Sequence, residues 1–206
     1  MKVLLVNGSP HEKGCTYTAL MEIADTLKKE NIETEIFWLG TKPISGCLGC
    51  GACLKKGRCF IDDVVNKFLD KVEDVDGFIF GSPVHFASAT GMLTSFMDRA
   101  FYGRGALFAG KVAASITSCR RGGASATFDQ INKYFTISNM PIVSSQYWNM
   151  VHGNTPEEVK QDLEGLQTMR TLAINMSWLL KCIDLGKKSG ILLPEREQKI
   201  STNFIR

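Results

Sequence analysis

Four cysteines stand close together in one stretch: Cys47, Cys50, Cys53 and Cys59, spaced C-x2-C-x2-C-x5-C. Gly49, Gly51 and Gly57 lie in the gaps, so the chain can wrap tightly and bring successive thiolates to the corners of one cube. A C-x2-C-x2-C run is what bacterial ferredoxins use to hold a [4Fe–4S] cluster, and Cys59 is near enough to supply the fourth ligand of the same set. Other chemistries stay open on these residues. Structural zinc more often takes two cysteine pairs across a longer span, while close thiols also exchange as reversible disulfides or remain free. Lys55, Lys56 and Arg58 sit beside the cysteines, where they would either offset thiolate charge or form a solvated loop. Of the remaining cysteines, Cys182 is expected as buried helix packing.

Three further segments carry chemistry. Gly8-Ser9-Pro10-His11 through Gly14-Cys15-Thr16-Tyr17-Thr18 joins an apolar run to a helical one. Free N–H groups and the positive end of a helix dipole favour a phosphate there, and Ser9, Thr16 and Thr18 add hydroxyl donors. The segment matches neither G-x-G-x-x-G nor G-x-x-x-x-G-K-[ST]. A hydroxyl-rich loop of this kind suits a terminal monophosphate such as that of FMN; the plainer reading is a turn in which Ser9 or Thr16 caps the helix. The second segment is Gly81-Ser82-Pro83-Val84-His85-Phe86, and the third is Ser118-Cys119-Arg120-Arg121-Gly122-Gly123. A flat isoalloxazine ring needs apolar contact and hydrogen bonds at its polar edge, which Pro83, Val84, His85 and Phe86 would provide. Gly122 and Gly123 allow close backbone approach, and Arg120 or Arg121 favours negative charge on a reduced flavin.

The elements that must position these segments alternate. Strands are expected at 2–6, 33–38, 77–80, 112–117 and 142–148, and helices at 16–29, 62–72, 90–100 and 125–135. Five strands alternating with helices predict an α/β, doubly wound, open parallel sheet, in which ligands bind at the carboxyl ends of strands near a switch point. The three segments follow strands one, three and four. A long final helix is expected from the Thr155-Pro156-Glu157-Glu158 capping box to a stop at Gly186. Residues 1–190 then form one domain with a cysteine loop at 43–60, and 191–206 an extended arm.

Composition narrows the function. A net charge of +3 with no basic run argues against nucleic acid. Lys181 and Asp184 break the longest apolar stretch, so no membrane span is expected, and Lys2 leads straight into a strand rather than a leader. The reading is a cytoplasmic protein, where clustered cysteines more often bind metal or do redox chemistry.

The 8–16 loop, the Ser82–Phe86 loop and the Arg-Arg-Gly-Gly loop resemble the NADPH-dependent FMN reductase branch of the flavodoxin-like superfamily from residue 1 to about 153, and the cysteine spacing resembles its iron–sulfur flavoprotein subgroup. The resemblance implies a sheet of order 2-1-3-4-5, bound FMN, and dimers or tetramers. It places Ser9, His11, Cys15, Thr16 and Tyr17 around the phosphate, Pro83, Val84, His85 and Phe86 along the flavin, and Ser118, Arg120, Gly122 and Gly123 on its other side. His11, Cys15 and His85 stand where the family often has Arg, Asn, and Tyr or Trp, so contacts by His11 and Cys15 are expected less firmly than those by Ser9 and Thr16. The implied function is an FMN-dependent oxidoreductase in which a [4Fe–4S] cluster takes electrons from a ferredoxin-type donor and relays them to FMN, which reduces a small-molecule acceptor. The alternative is a cluster-free NAD(P)H-dependent reductase of quinones, azo or nitro compounds. No side chain is assigned as catalytic acid or base, since the flavin does the chemistry.

Overall fold

The computed structural model describes residues 1–198, 200–202 and 204. Strand β1 (Lys2–Asn7) has Val3 to Val6 wholly buried, as an interior strand covered on both faces must. It pairs in parallel with β2 (Glu33–Trp38) on one side and with β3 (Gly77–Pro83) on the other. Next come β4 (Val112–Cys119) and β5 (Met150–His152), giving a five-stranded parallel sheet of order β2-β1-β3-β4-β5. The reversal of chain progression between β1 and β3 opens a crevice at their carboxyl ends.

Side-chain alternation sends Phe78 and Phe80 to one face and Ile79 to the other. The first face packs on α3 (Val64–Leu69), α4 (Gly91–Arg104) and α5 (Ala124–Ile137). Its centre is a set of touching rings, with Phe68 5.0 Å from Phe96 and Phe101 4.4 Å from Phe108. The second face is closed by α1 (Cys15–Lys29) and α7 (Leu163–Lys188), through Leu20, Ile23, Leu27, Met169, Leu172 and Met176. Both faces of β1, β3 and β4 are thus sealed, and the loops at their carboxyl ends are held on a rigid base.

Four expectations change. The last strand is not 142–148. Only Ile142 bridges to Ala113, after which the Ser145 hydroxyl bonds Tyr147 O and the Asn149 side chain, turning the chain away before Met150–His152 rejoins β4. The final helix is broken into α6 (Pro156–Val159) and α7, because Asp162 accepts from Gly165 N at 2.9 Å and so caps a new helix. It runs past Gly186 to Lys188 and is closed by Gly190, φ +85°, where Gly190 N donates to Lys187 O and Ile191 N to Gly186 O in a Schellman pair. Cys182 is exposed rather than packed. The cysteine loop also carries a short helix, α2 (Ala52–Lys56), that the spacing does not announce. Beyond α7 the described residues hold no helix or strand, and Leu193 packs on Gly110 at the amino end of β4. Among the described residues no helix is long and apolar enough to cross a membrane.

Candidate flavin and cysteine sites

The three loops meet at the carboxyl ends of β1, β3 and β4. Gly8 N donates to Gly81 O at 2.8 Å, and a Cβ at Gly8 would stand 2.9 Å from that oxygen. At Gly81 an added Cβ would fall 2.8 Å from Thr16 Cγ2, so both glycines are needed where the backbones cross. Thr16 Oγ1 and Ser118 Oγ share a buried hydrogen bond of 2.8 Å, and Val84 N donates to Ser118 O at 2.9 Å. Thr90 Oγ1 donates to Gly8 O at 2.9 Å. Gly123, φ +85°, lies against the second loop so closely that a Cβ there would be 2.7 Å from Ala87 Cα.

The first loop leaves the helix end open. Gly14 caps α1 with no side-chain hydrogen bond, so neither Ser9 nor Thr16 acts as the cap. Ser9 instead turns inward: its N–H donates to Asn7 Oδ1 at 3.0 Å and its Oγ accepts from His11 N at 3.1 Å. The N–H groups of Cys15, Thr16 and Tyr17 stand in the first turn without an intrahelical partner, a ready anion site. Cys15 is half-buried, its thiol pushed up by burial and directed to Gly153 O at 3.7 Å. Burial likewise raises the Cys119 thiol.

Pro83 and Val84 are half-buried, whereas His85 and Phe86 project into solvent. His85 and Ser88 exchange backbone bonds of 2.9 and 3.0 Å around a two-residue turn of Phe86, φ +52°, and Ala87, φ +56°. That turn type favours Asn-Gly. An aromatic residue in the left-handed region, fully exposed, is strain of the kind that collects at ligand sites. Gln130 Oε1 on α5 holds the turn, accepting from Ser88 Oγ and Ala89 N, each at 2.8 Å. Arg120, Arg121 and Gly122 are exposed, and a Cβ at Gly122 would meet nothing within 4 Å. Among the described residues neither arginine forms an ion pair. Residues 121–125 also line a cleft with Tyr147, Trp148, His152 and Asp162.

Cys47, Cys50, Cys53 and Cys59 line a single shallow concavity, together with Phe60, Ile61, Arg99 and Tyr102. Helix α4 is its floor. Its Thr90 cap belongs to the flavin-side loops, and Ser95, Arg99 and Gly103 form a stripe at i, i+4, i+8 beneath the cysteine loop. A Cβ at Gly103 would meet Cys53 Cβ at 3.2 Å, so the small residue lets Cys53 approach. At 1.5 Å per residue, Thr90 and Arg99 are about 13 Å apart along the axis. The lysines of the loop do not reach a thiol: Arg58 pairs with Asp62 at 2.9 Å in solvent, and Lys55 and Lys56 are exposed. The cation that does is Arg99. Burial works against its charge, and hydrogen bonds with Asp63 and Cys59 more than offset this, so its pKa lies above the ordinary value. Among the described residues, no three His, Cys, Asp or Glu side chains gather around one ion-sized point.

Sequence reasoning missed three groups that build these sites. Asn7 is wholly buried and holds the first loop through Ser9 N and, by its Nδ2, Glu12 O at 2.9 Å; its signal is a polar residue ending an apolar strand. Trp38 Nε1 donates to Ser9 O at 2.9 Å, which nothing in the sequence announces. Arg99 follows Asp98 between the apolar pairs Phe96-Met97 and Ala100-Phe101, so the sequence offers it as one of two adjacent charges without marking which is buried.

Residues 1–155 match the NADPH-dependent FMN reductase family. An iron–sulfur flavoprotein of Methanocaldococcus jannaschii is 35% identical over 191 residues, covering 89% of this chain and 99% of that protein. Among solved structures, RosB with bound 8-demethyl-8-formylriboflavin-5'-phosphate superposes with a TM-score of 0.68 at 16% identity, over 100% of this chain and 94% of the other. A flavodoxin from the domain Archaea does so at 0.61 and 14%, over 88% of this chain and 99% of the other. The last two likenesses establish the flavodoxin-like fold.

Proposed function

This chain belongs to the NADPH-dependent FMN reductase family, beside its iron–sulfur flavoproteins, and is a flavin-dependent oxidoreductase; on that premise we propose that Cys47, Cys50, Cys53 and Cys59 hold a [4Fe–4S] cluster that relays electrons to FMN. The observation that carries the reading is the concavity all four thiols share, on the helix whose other end caps the flavin-side loops. The steps of three residues between Cys47, Cys50 and Cys53 suit the corners of one cluster better than the two separated pairs that structural zinc usually takes.

FMN fits the other end. The open N-terminus of α1 receives the phosphate through the N–H groups of Cys15, Thr16 and Tyr17, with Ser9 and His11 beside it. Because the Thr16 hydroxyl is shared with Ser118, its backbone carries its part of the contact. Pro83, Val84, His85 and Phe86 take one side of the ring, and Ser118, Arg120, Gly122 and Gly123 the other. When bound, the cluster supplies single electrons and the flavin exchanges one or two. The chain's task is to hold both, with the buried Asn7, Thr16, Ser118 and Thr90 bonds keeping the three loops in place. A ferredoxin-type protein or NAD(P)H is the donor, and a small molecule the acceptor. Assembly into two or four copies belongs to the reading, supported by Ile174, Trp178 and Leu185 exposed on α7.

A second reading, a cluster-free NAD(P)H-dependent reductase of quinones, azo or nitro compounds, is favoured by the cleft in which exposed Tyr147 and Trp148 adjoin Gly122 and Gly123. Purification without oxygen, with a visible spectrum and iron and sulfide analysis, tests the two. The first expects flavin bands with about four iron and four sulfide per chain. Flavin without iron or sulfide, even after reconstitution, leaves only the second, which NADPH oxidation with a quinone then checks. No flavin contradicts both.

A further inference from the structure

Arg99 is the most heavily engaged side chain near the cysteines. It is 3% exposed, and its guanidinium spends its donors on five acceptor atoms of four residues. Nη1 donates to Asp63 Oδ2 at 2.6 Å and to Ser45 O at 3.4 Å. Nη2 donates to Ile61 O at 2.8 Å and to Asp63 Oδ1 at 3.0 Å. Nε has a single partner, Cys59 Sγ at 3.4 Å, which Nη2 also approaches at 3.4 Å. The fork thus ties both ends of the cysteine loop, Ser45 and Ile61, to α4. Its remaining N–H points at one sulfur.

We propose that Arg99 is a positioning residue for Cys59: its Nε–H and Nη2–H hold that sulfur toward the concavity shared with Cys47, Cys50 and Cys53, and they raise the reduction potential of the centre built there. The inference rests on the reading that the four thiols hold a [4Fe–4S] cluster. A cluster held there would take up one electron from a ferredoxin-type donor, adding one negative charge to the cluster with its sulfur ligands, with no bond broken and no proton required. Donors aimed at sulfur favour that more negative state. Asp63, which accepts from Nη1 and from the same Nη2 that approaches Cys59, works in the opposite direction by partly neutralising the arginine. A lysine cannot replace this arrangement, because a compact ammonium cannot span Asp63, Ile61 and Cys59 together.

The test is the midpoint potential of anaerobically reconstituted protein, read by spectroelectrochemistry, for wild type, Arg99→Lys, Asp63→Asn and Arg104→Gln. Arg104 serves as control: it binds the same loop through Gly57 O at 2.8 Å and touches no thiol. Arg99→Lys is expected to lower the reduction equilibrium constant about tenfold, which is about 59 mV for one electron. Asp63→Asn keeps the α3 cap, since Asn caps as well as Asp, and is expected to move the potential upward. Arg104→Gln is expected to leave it unchanged. If Arg99→Lys loses its iron while Arg104→Gln keeps it, the positioning role stands on that loss. Should Arg99→Lys fail to fold, Asp63→Asn carries the test alone, and an unchanged or lowered potential there overturns the proposal. Wild-type iron content and potential in Arg99→Lys also overturn it while leaving the cluster reading intact. Wild-type protein that takes up no iron or sulfide overturns both.

Discussion

Gly123→Ala is the sharpest probe of how the flavin-side loops are joined. Gly123 has φ +85°, where an L side chain costs about 1–2 kcal/mol. The new Cβ would also lie 2.7 Å from Ala87 Cα and 2.9 Å from Val84 Cγ1. The first of these is backbone, so relief requires moving the Phe86–Ala87 turn, and overpacking of this kind costs about 1–3 kcal/mol. Together the two effects predict a loss of about 2–5 kcal/mol, a large share of the 5–15 kcal/mol typical of a folded domain. For a chain of this size that lowers Tm by about 4–20 °C. Gly122→Ala is the matched control, because its Cβ meets nothing within 4 Å. Urea unfolding followed by circular dichroism gives the stability, and quenching of FMN fluorescence on titration gives the affinity. Both should worsen in Gly123→Ala, whereas the stability of Gly122→Ala should barely change. Equal, small effects of the two substitutions on both quantities would refute the claim that the second and third loops form one interlocked site.

Thr16→Val leaves the buried Ser118 hydroxyl without its partner and should cost about 1–3 kcal/mol in urea unfolding, while Thr16→Val with Ser118→Ala should cost less than the sum of the single changes. Cys50→Ala or Cys53→Ala should abolish bound iron and sulfide but leave FMN bound, because the cysteines and the flavin-side loops are separate in sequence; parallel loss of FMN on extraction would show that the two sites are not independent. Glu35 links β2 to Lys71 at 2.8 Å and Lys2 at 3.0 Å. The Lys71 hydrogen bond holds its carboxyl below the usual range, helped by Lys2 and opposed by partial burial. A lowered folded pKa gives stability that is present above the ordinary value of about 4.3 and lost as pH falls through the folded value. The stability gap between wild type and Glu35→Gln should therefore be constant near pH 7 and close below pH about 4, and a gap that persists in acid would contradict this.

The sheet was legible because β1, β3 and β4 are short apolar runs, rich in β-branched or aromatic residues and ending in Gly/Ser-rich turns, whose length and flanks fit strands covered on both faces. Elements set by side-chain hydrogen bonds were not. The excursion before β5 hangs on Ser145 and Asn149, and the break before α7 on Asp162, none of which disturbs the apolar pattern. At the candidate sites, the glycines and hydroxyls were visible as types, but their division of labour was not. Thr16 and Ser118 read as separate ligand contacts, yet they bond one another, since β1 and β4 lie on opposite sides of β3 and α1 bridges them. Arg99 was overlooked because Lys55, Lys56 and Arg58 are nearer the cysteines in sequence; proximity along a loop says little when a helix from elsewhere forms its floor.

The proposed relay requires that electrons from a ferredoxin-type donor reach the flavin through the cysteine site. Stopped-flow reduction of the bound FMN by a reduced ferredoxin, in wild type and in Cys50→Ala with matched flavin content, measures this. Wild type should show reduction of the flavin passing through the cysteine site, and Cys50→Ala should lose that phase while still accepting electrons from NADPH. Equal rates of ferredoxin-driven flavin reduction in the two proteins would contradict the relay.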